Sequence, residues 1–225
     1  MFNRFICIAC GTKLQGNDFS CPKCHNTTSI IPLPPEMWEY DRDDGKKTAT
    51  YLPVGWSSFD KALGGGLARS SMTTLCGDEG IGKSTLSLQI GDAVAQQGKS
   101  VFYVNTEEHK DVLVKRAQRL KTTSQNLVIE AGKTWQKFIN ELNMFRKRPD
   151  LIIVDSLSRF SDEEEKARPD TLPQIKRCGM QLLQLAKVSD WAVLTDVHTT
   201  KGGVMAGHKG LGYDSDVNLY LEKDV

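Results

Sequence analysis

Long apolar runs are missing from this 225-residue chain: none approaches the roughly 18 residues that a membrane span needs. No membrane partner is therefore expected. The first five residues lead straight into cysteines, without the apolar core of a signal peptide, and a cytoplasmic location is expected. Charge of one sign is missing as well. Lys and Arg number 29 against 28 Asp and Glu, a formal net charge of +1. That balance excludes a global field for nucleic acid, so any DNA or RNA must be held by local patches. Cysteine is scarce beyond residue 24, where only Cys76 and Cys178 occur, each in apolar-looking surroundings. The other four crowd one end, which speaks for a reduced compartment and a metal rather than disulfides. With 39% hydrophobic and 25% charged residues, the chain is neither disordered nor membrane-like, and its length suits one or two domains.

Texture divides the chain. Residues 31–55 hold four of the eight prolines and a charge run from Asp41 to Lys47, and read as a linker. It separates a cysteine-rich module, residues 1–30, from a core over 56–225. In the core, short apolar runs alternate with amphipathic stretches. Strands are predicted at 72–77, 100–105, 126–130, 151–155, 191–196 and 217–222. Helices are predicted at 84–97, 109–120, 134–148 and 173–189. Gly98 stops the first helix, Thr134 suits the cap of the third, and Pro173 suits the start of the fourth. Such alternation predicts an α/β fold, a mostly parallel sheet flanked by helices. Glu163, Glu164 and Glu165 read as a solvated loop.

Cys7-x-x-Cys10 and, ten residues on, Cys21-Pro22-Lys23-Cys24 form a four-thiolate zinc pattern. Each pair lets a tight turn aim two sulfurs at one metal, and two pairs complete a tetrahedron. A module of about thirty residues buries little core, so Zn²⁺ would hold it together, with about 10–16 kcal/mol available in comparable peptides. A redox pair or accidental cysteines is the bland alternative. His25 adjoins Cys24 and could compete as a ligand.

Residues 77–84, Gly77-Asp78-Glu79-Gly80-Ile81-Gly82-Lys83-Ser84, fit the phosphate-loop pattern G-x-x-x-x-G-K-[ST]. The glycines let backbone N–H groups wrap phosphates, and the helix beginning at Ser84 and Thr85 adds its positive end. Lys83 would reach the β- and γ-phosphates of ATP, and Ser84 would ligate Mg²⁺. An apolar strand enters this loop and an amphipathic helix leaves it, as the motif requires. Leu151-Ile152-Ile153-Val154-Asp155 is an apolar strand ending in a carboxylate, which would hold Mg²⁺ directly or through water. A helix-capping Asp is the alternative. The strand ending Val104-Asn105 runs into Glu107 and Glu108. Ligands sit at such strand ends, and a glutamate there can polarise attacking water. Glu107 is the stronger candidate; a solvated acid is the alternative for each. A further strand ends in a polar cluster with Asp196 and His198, before a glycine-rich stretch to Gly207. His198 could sense the γ-phosphate or be structural. Lys201 and Lys209 bracket that stretch and are candidate DNA contacts; a solvated surface loop is the alternative.

Taken in order, these motifs resemble the bacterial RadA family. The resemblance rests on the cysteine module, the run from Gly55 and Trp56 to Gly64, Gly65, Gly66 and Leu67, and the phosphate loop. It also rests on Tyr103 to Glu108, Asp155-Ser156, and His198 to Gly207, and it covers residues 5–223. It implies a RecA-like P-loop ATPase core acting in DNA repair and recombination. Lys83, Ser84 and Asp155 would serve nucleotide and Mg²⁺, with Glu107 the catalytic glutamate. His198 and Lys201 match the His-x-x-Lys segment of the family. The partners implied are single-stranded or branched DNA, a homo-oligomer in the form of a hexameric ring, and a recombinase or helicase. Segments near 158–172 and after His198 would face DNA. Three departures stand out. Glu79 replaces the usual proline, His208-Lys209 stands for Pro-Arg, and the chain ends before the family's Lys-Asn-Arg-Phe-Gly motif and Lon-protease-like domain. A shortened form is therefore expected. The rival expectation is an ATP-switched regulator or adaptor with little turnover, either KaiC-like or helicase-associated.

Overall fold

The computed structural model describes residues 4–7, 12–15, 20–25, 30–32, 50–122, 124–132, 134–145, 147–162, 168, 171–200, 204–205 and 215–223. Near the N-terminus, β1 (Arg4–Cys7) pairs antiparallel with β2 (Thr12–Gln15) and with β3 (Ile30–Pro32). Within the segment expected as linker, β4 (Tyr51–Leu52) pairs with β5 (Leu67–Ala68) across a short helix, α1 (Ser57–Ala62). The Asp60 carboxylate anchors that excursion by accepting from the Val54 and Gly55 amides, both at 2.8 Å. Gly66 lets the two strands close: a Cβ there would lie 2.3 Å from the Leu52 carbonyl oxygen.

The core is an α/β sheet of P-loop NTPase type. Six parallel strands run β12-β6-β10-β9-β7-β8. They are β6 (Ser71–Gly77), β7 (Val101–Asn105), β8 (Leu127–Ala131), β9 (Leu151–Asp155), β10 (Ala192–Thr200) and β12 (Val217–Tyr220). β11 (Val204–Met205) returns antiparallel on the end of β10. That pairing extends β10 past Asp196, where the apolar pattern stops. The inner strands β7 and β9 are apolar up to their last residues, Asn105 and Asp155, because both their faces are covered. On one face lie α2 (Lys83–Gln96) and α3 (Lys110–Arg119), with Leu88, Ile90, Val94 and Leu113 packed on Leu75, Tyr103, Ile153 and Leu194. On the other lie α4 (Trp135–Met144) and α5 (Leu172–Ser189), over Met72, Phe102, Ile152 and Val193.

Helix ends follow local chemistry. The Thr134 hydroxyl accepts from the Lys137 amide at the start of α4, and Pro173 sits in the first turn of α5. α4 stops at Met144, short of the predicted 148. Phe145 takes extended backbone there and turns its ring to within 5.3 Å of Phe102. The residues predicted as an acidic loop, 163–165, lie outside the described residues. Because the sheet is parallel, β6, β10, β9 and β7 all deliver their carboxyl ends to one edge.

Phe138 sits at the centre of the second face, with ring centroids of Trp135 at 5.3 Å, Phe160 at 5.6 Å and Phe102 at 6.1 Å. Phe138→Ala should cost about 3–5 kcal/mol of unfolding free energy in urea titrations. A loss below about 1 kcal/mol would mean that this cluster is not the closed core described.

Candidate functional site

The loop after β6 owes its path to two glycines. Gly80 and Gly82 have φ of +77° and +110°, and a Cβ on either would meet nothing within 4 Å. The conformation, not crowding, requires glycine there. Lys83 opens α2 and is only 5% exposed. Its Nζ donates to the Gly77 and Asp78 carbonyl oxygens, both at 2.8 Å. The ammonium thus occupies its own loop. Burial pushes its pKa down, against the opposing pull of Asp196, Glu107, Asp155 and Asp78. Thr85 follows in the first turn of α2, half-buried.

Asp155, at the end of β9, is the hub. Its Oδ1 accepts from Ser84 Oγ at 3.0 Å; its Oδ2 accepts from the Tyr103 hydroxyl at 2.6 Å and Asn105 Nδ2 at 3.1 Å. Burial raises its pKa; the Tyr103 and Ser84 hydrogen bonds oppose this, and Glu107 adds to the rise. The Asn105 carbonyl end accepts from the amides of Glu107 (3.0 Å) and Glu108 (2.6 Å), so one side chain ties the Asp155 hub to the glutamate turn. The two glutamates then diverge. Glu107 Oε1 accepts from Ser156 Oγ at 2.7 Å, and its charge acts on Lys83 and Asp155. Glu108 pairs with Arg116 of α3 at 2.8 Å.

The remaining candidates are placed as follows. The backbone of His198 pairs in register with Gly77, at the mouth of the loop. Its side chain, Lys201 and Lys209 lie outside the described residues. Cys7, Cys21 and Cys24 hold their sulfurs within 4.8 Å of one another, and the Cys7–Cys24 separation is 3.5 Å. A tetrahedral zinc with bonds of about 2.3 Å sets sulfurs about 3.8 Å apart, so the three thiols fit that ion. Cys10 lies outside the described residues. Cys76 and Cys178 are buried, and burial pushes their thiols up to about 11 and about 12.

Tyr103, Asn105, Ser87, Ser156 and Asp196 were not singled out as site residues from the sequence, yet all join this polar layer. Ser87 Oγ donates to Asp196 Oδ1 at 2.7 Å. Asp196 did carry a signal: like Asp155, it closely follows a short apolar run. A loop with open space over its glycines, a buried lysine satisfied by carbonyls, and a hydroxyl–carboxylate pair together fit a phosphate chain and its Mg²⁺.

A carboxyl whose pKa is raised on folding binds more protons folded than unfolded, so its stability contribution falls as pH rises through that window. For Asp155 the window opens near pH 4, about the unfolded value. The melting difference between Asp155→Asn and the parent, both ligand-free, should therefore move in the variant's favour as pH rises from about 4 to 7. A difference that does not change with pH over that range would contradict the raised pKa.

Residues 57–204 match the AAA domain family. Among curated proteins, the chain is 32% identical to the DNA repair protein RadA of Rickettsia conorii, over 98% of this chain and 52% of that one. It is 29% identical to RadA of Campylobacter jejuni, over 98% and 53%, and 28% identical to RadA of Listeria monocytogenes, over 97% and 51%. The chain spans about half the length of the curated relatives it matches. The family match runs from the first residue of α1 to the first of β11, and so takes in the glycine loop, Asp155 and both glutamates. On that fold and those strand ends, the chain belongs to the AAA domain family, among the relatives of the RadA DNA repair proteins.

Proposed function

We propose that the chain is an ATP-hydrolysing, DNA-binding protein of RadA type that acts in DNA repair or recombination, including branch migration or strand processing. The carrying observation is the 3.0 Å contact between Ser84 and Asp155, residues 71 positions apart in the chain. It joins the glycine loop to the end of β9 in the arrangement a nucleotide needs.

In this reading the N–H groups of residues 77–85 and the start of α2 take the phosphates. Lys83 exchanges the two carbonyls for phosphate oxygens. Ser84 and Asp155 would hold Mg²⁺, which would supply charge to neutralise the transferred phosphoryl group. Glu107 accepts the proton of the attacking water, oriented by Ser156 and by Asn105 beneath its backbone. His198, whose backbone is level with Gly77, would sense the γ-phosphate. Lys201, just past β10, Lys209 and the segment near 158–172 contact single-stranded or branched DNA. A ring of identical subunits and a recombinase or helicase partner complete the proposal. Cys7, Cys10, Cys21 and Cys24 bind one structural Zn²⁺ in a module over residues 1–30, joined by the 31–55 linker to the ATPase core.

Lys83→Ala should abolish ATP binding or hydrolysis. Glu107→Gln should keep binding and lose at least about 100-fold in turnover, because only Glu107 acts on the water. Parental turnover should rise with single-stranded DNA. A Glu107→Gln protein at the parental rate would assign the base elsewhere, and no DNA response or DNA binding would favour an adaptor. Elemental analysis should find about one zinc per chain; a metal-free, well-folded N-terminus would remove the zinc.

A further inference from the structure

Asp196 stands apart from the residues used so far. It is completely buried, on the α2 face of β10, directly above Leu194 and Ala192 of the core. The register that pairs Thr195 with Val154 brings the next residues of the two strands, Asp196 and Asp155, side by side. The two carboxyls lie within hydrogen-bonding reach of each other. Oδ1 of Asp196 is served by Ser87. Its Oδ2 receives no donor from any other residue. Ser84 and Ser87 are one turn apart on α2, so the helix is fastened to the sheet by two parallel rungs, Ser84 to Asp155 and Ser87 to Asp196.

A carboxyl is a costly way to fill a site floored by leucine and alanine. Leaving one buried oxygen unserved is destabilising, and valine would avoid it. Asp196 instead meets Asp155 on one side and Ser87 on the other, in the same layer as Tyr103, Asn105 and Ser84.

We propose that Asp196 is a positioning residue for the Mg²⁺-nucleotide site: through its contacts with Asp155 and Ser87 it holds the carboxylate that faces the ion. This rests on the nucleotide reading above. Partners of metal ligands typically change metal affinity by about 10–100-fold when removed.

The test is a fluorescent ATP analogue titrated onto the full chain at increasing Mg²⁺, with thermal melts of the ligand-free proteins alongside. Asp196→Val should raise the Mg²⁺ needed for half-maximal tightening by about tenfold, with melting unchanged or higher. Asp196→Asn keeps an acceptor for Ser87 and the shape of the side chain, and should stay within about twofold of the parent. Ser87→Ala, which loosens one contact only, should shift the requirement in the same direction by less. A purely structural role predicts the reverse, with lower melting of Asp196→Val and an unchanged Mg²⁺ requirement. That result, or equal impairment of the Val and Asn variants, overturns the proposal. Should Asp196→Val not fold, a parental requirement in Ser87→Ala overturns it instead. Failure of the parent itself to bind the analogue with Mg²⁺ would strike the nucleotide reading rather than this one.

Discussion

Asp155 is a carboxylate placed where almost no water reaches it, and the molecule is arranged to make that tolerable. Burying such a group without partners costs several kcal/mol. Here Ser84 reaches it from α2, Tyr103 and Asn105 from β7, and the Asp196 carboxyl from β10. These partners come from one helix and two neighbouring strands, so serving this one side chain fixes the start of α2, the order of three strands and the turn that bears Glu107. Burial still raises the pKa of Asp155 against these hydrogen bonds. The Ser84 hydroxyl and the Asp155 carboxylate together offer the oxygen donors that a divalent cation takes.

The same constraint explains why the polar layer lies at one edge. In a parallel sheet every strand runs from the buried amino edge to the same carboxyl edge. Along β7, Val101 and Tyr103 share the α2 face; along β9, Leu151 and Ile153 do; along β10, Ala192 and Leu194 do. Two residues further on, that face carries Asn105, Asp155 and Asp196. The apolar core therefore changes into a polar layer within one residue step per strand, directly under the glycine loop. Lys83 closes the layer from above by bonding to the loop's carbonyls, a geometry that a phosphate chain would convert by taking over the ammonium.

Most of the core was legible in the amino-acid pattern because its inner strands are buried on both faces. The run from Leu151 to Val154 cannot be mistaken for a surface segment, and Gly98 and Pro173 mark helix ends through backbone chemistry alone. The phosphate-loop spacing and the acid ending β9 could be found in the same way, since each signal is local. What escaped notice depends on contacts between distant segments. Tyr103 looks like any core aromatic until its hydroxyl meets Asp155, 52 positions away. Ser87 pairs with Asp196 across 109 positions. α1 is too short to show a helical period; it forms because Asp60 caps the turn of Val54 and Gly55 and because Gly66 lets β4 and β5 meet.

The central claim is that Lys83 and its loop await a phosphate chain, with Ser84 and Asp155 awaiting its cation. A crystal structure of the full chain with a non-hydrolysable ATP analogue and Mg²⁺ tests this most directly. The account predicts Nζ of Lys83 moved from the Gly77 and Asp78 carbonyls onto phosphate oxygens, and the cation between Ser84 and Asp155. Lys83 still bonded to its own loop, with the nucleotide elsewhere or absent, would contradict it.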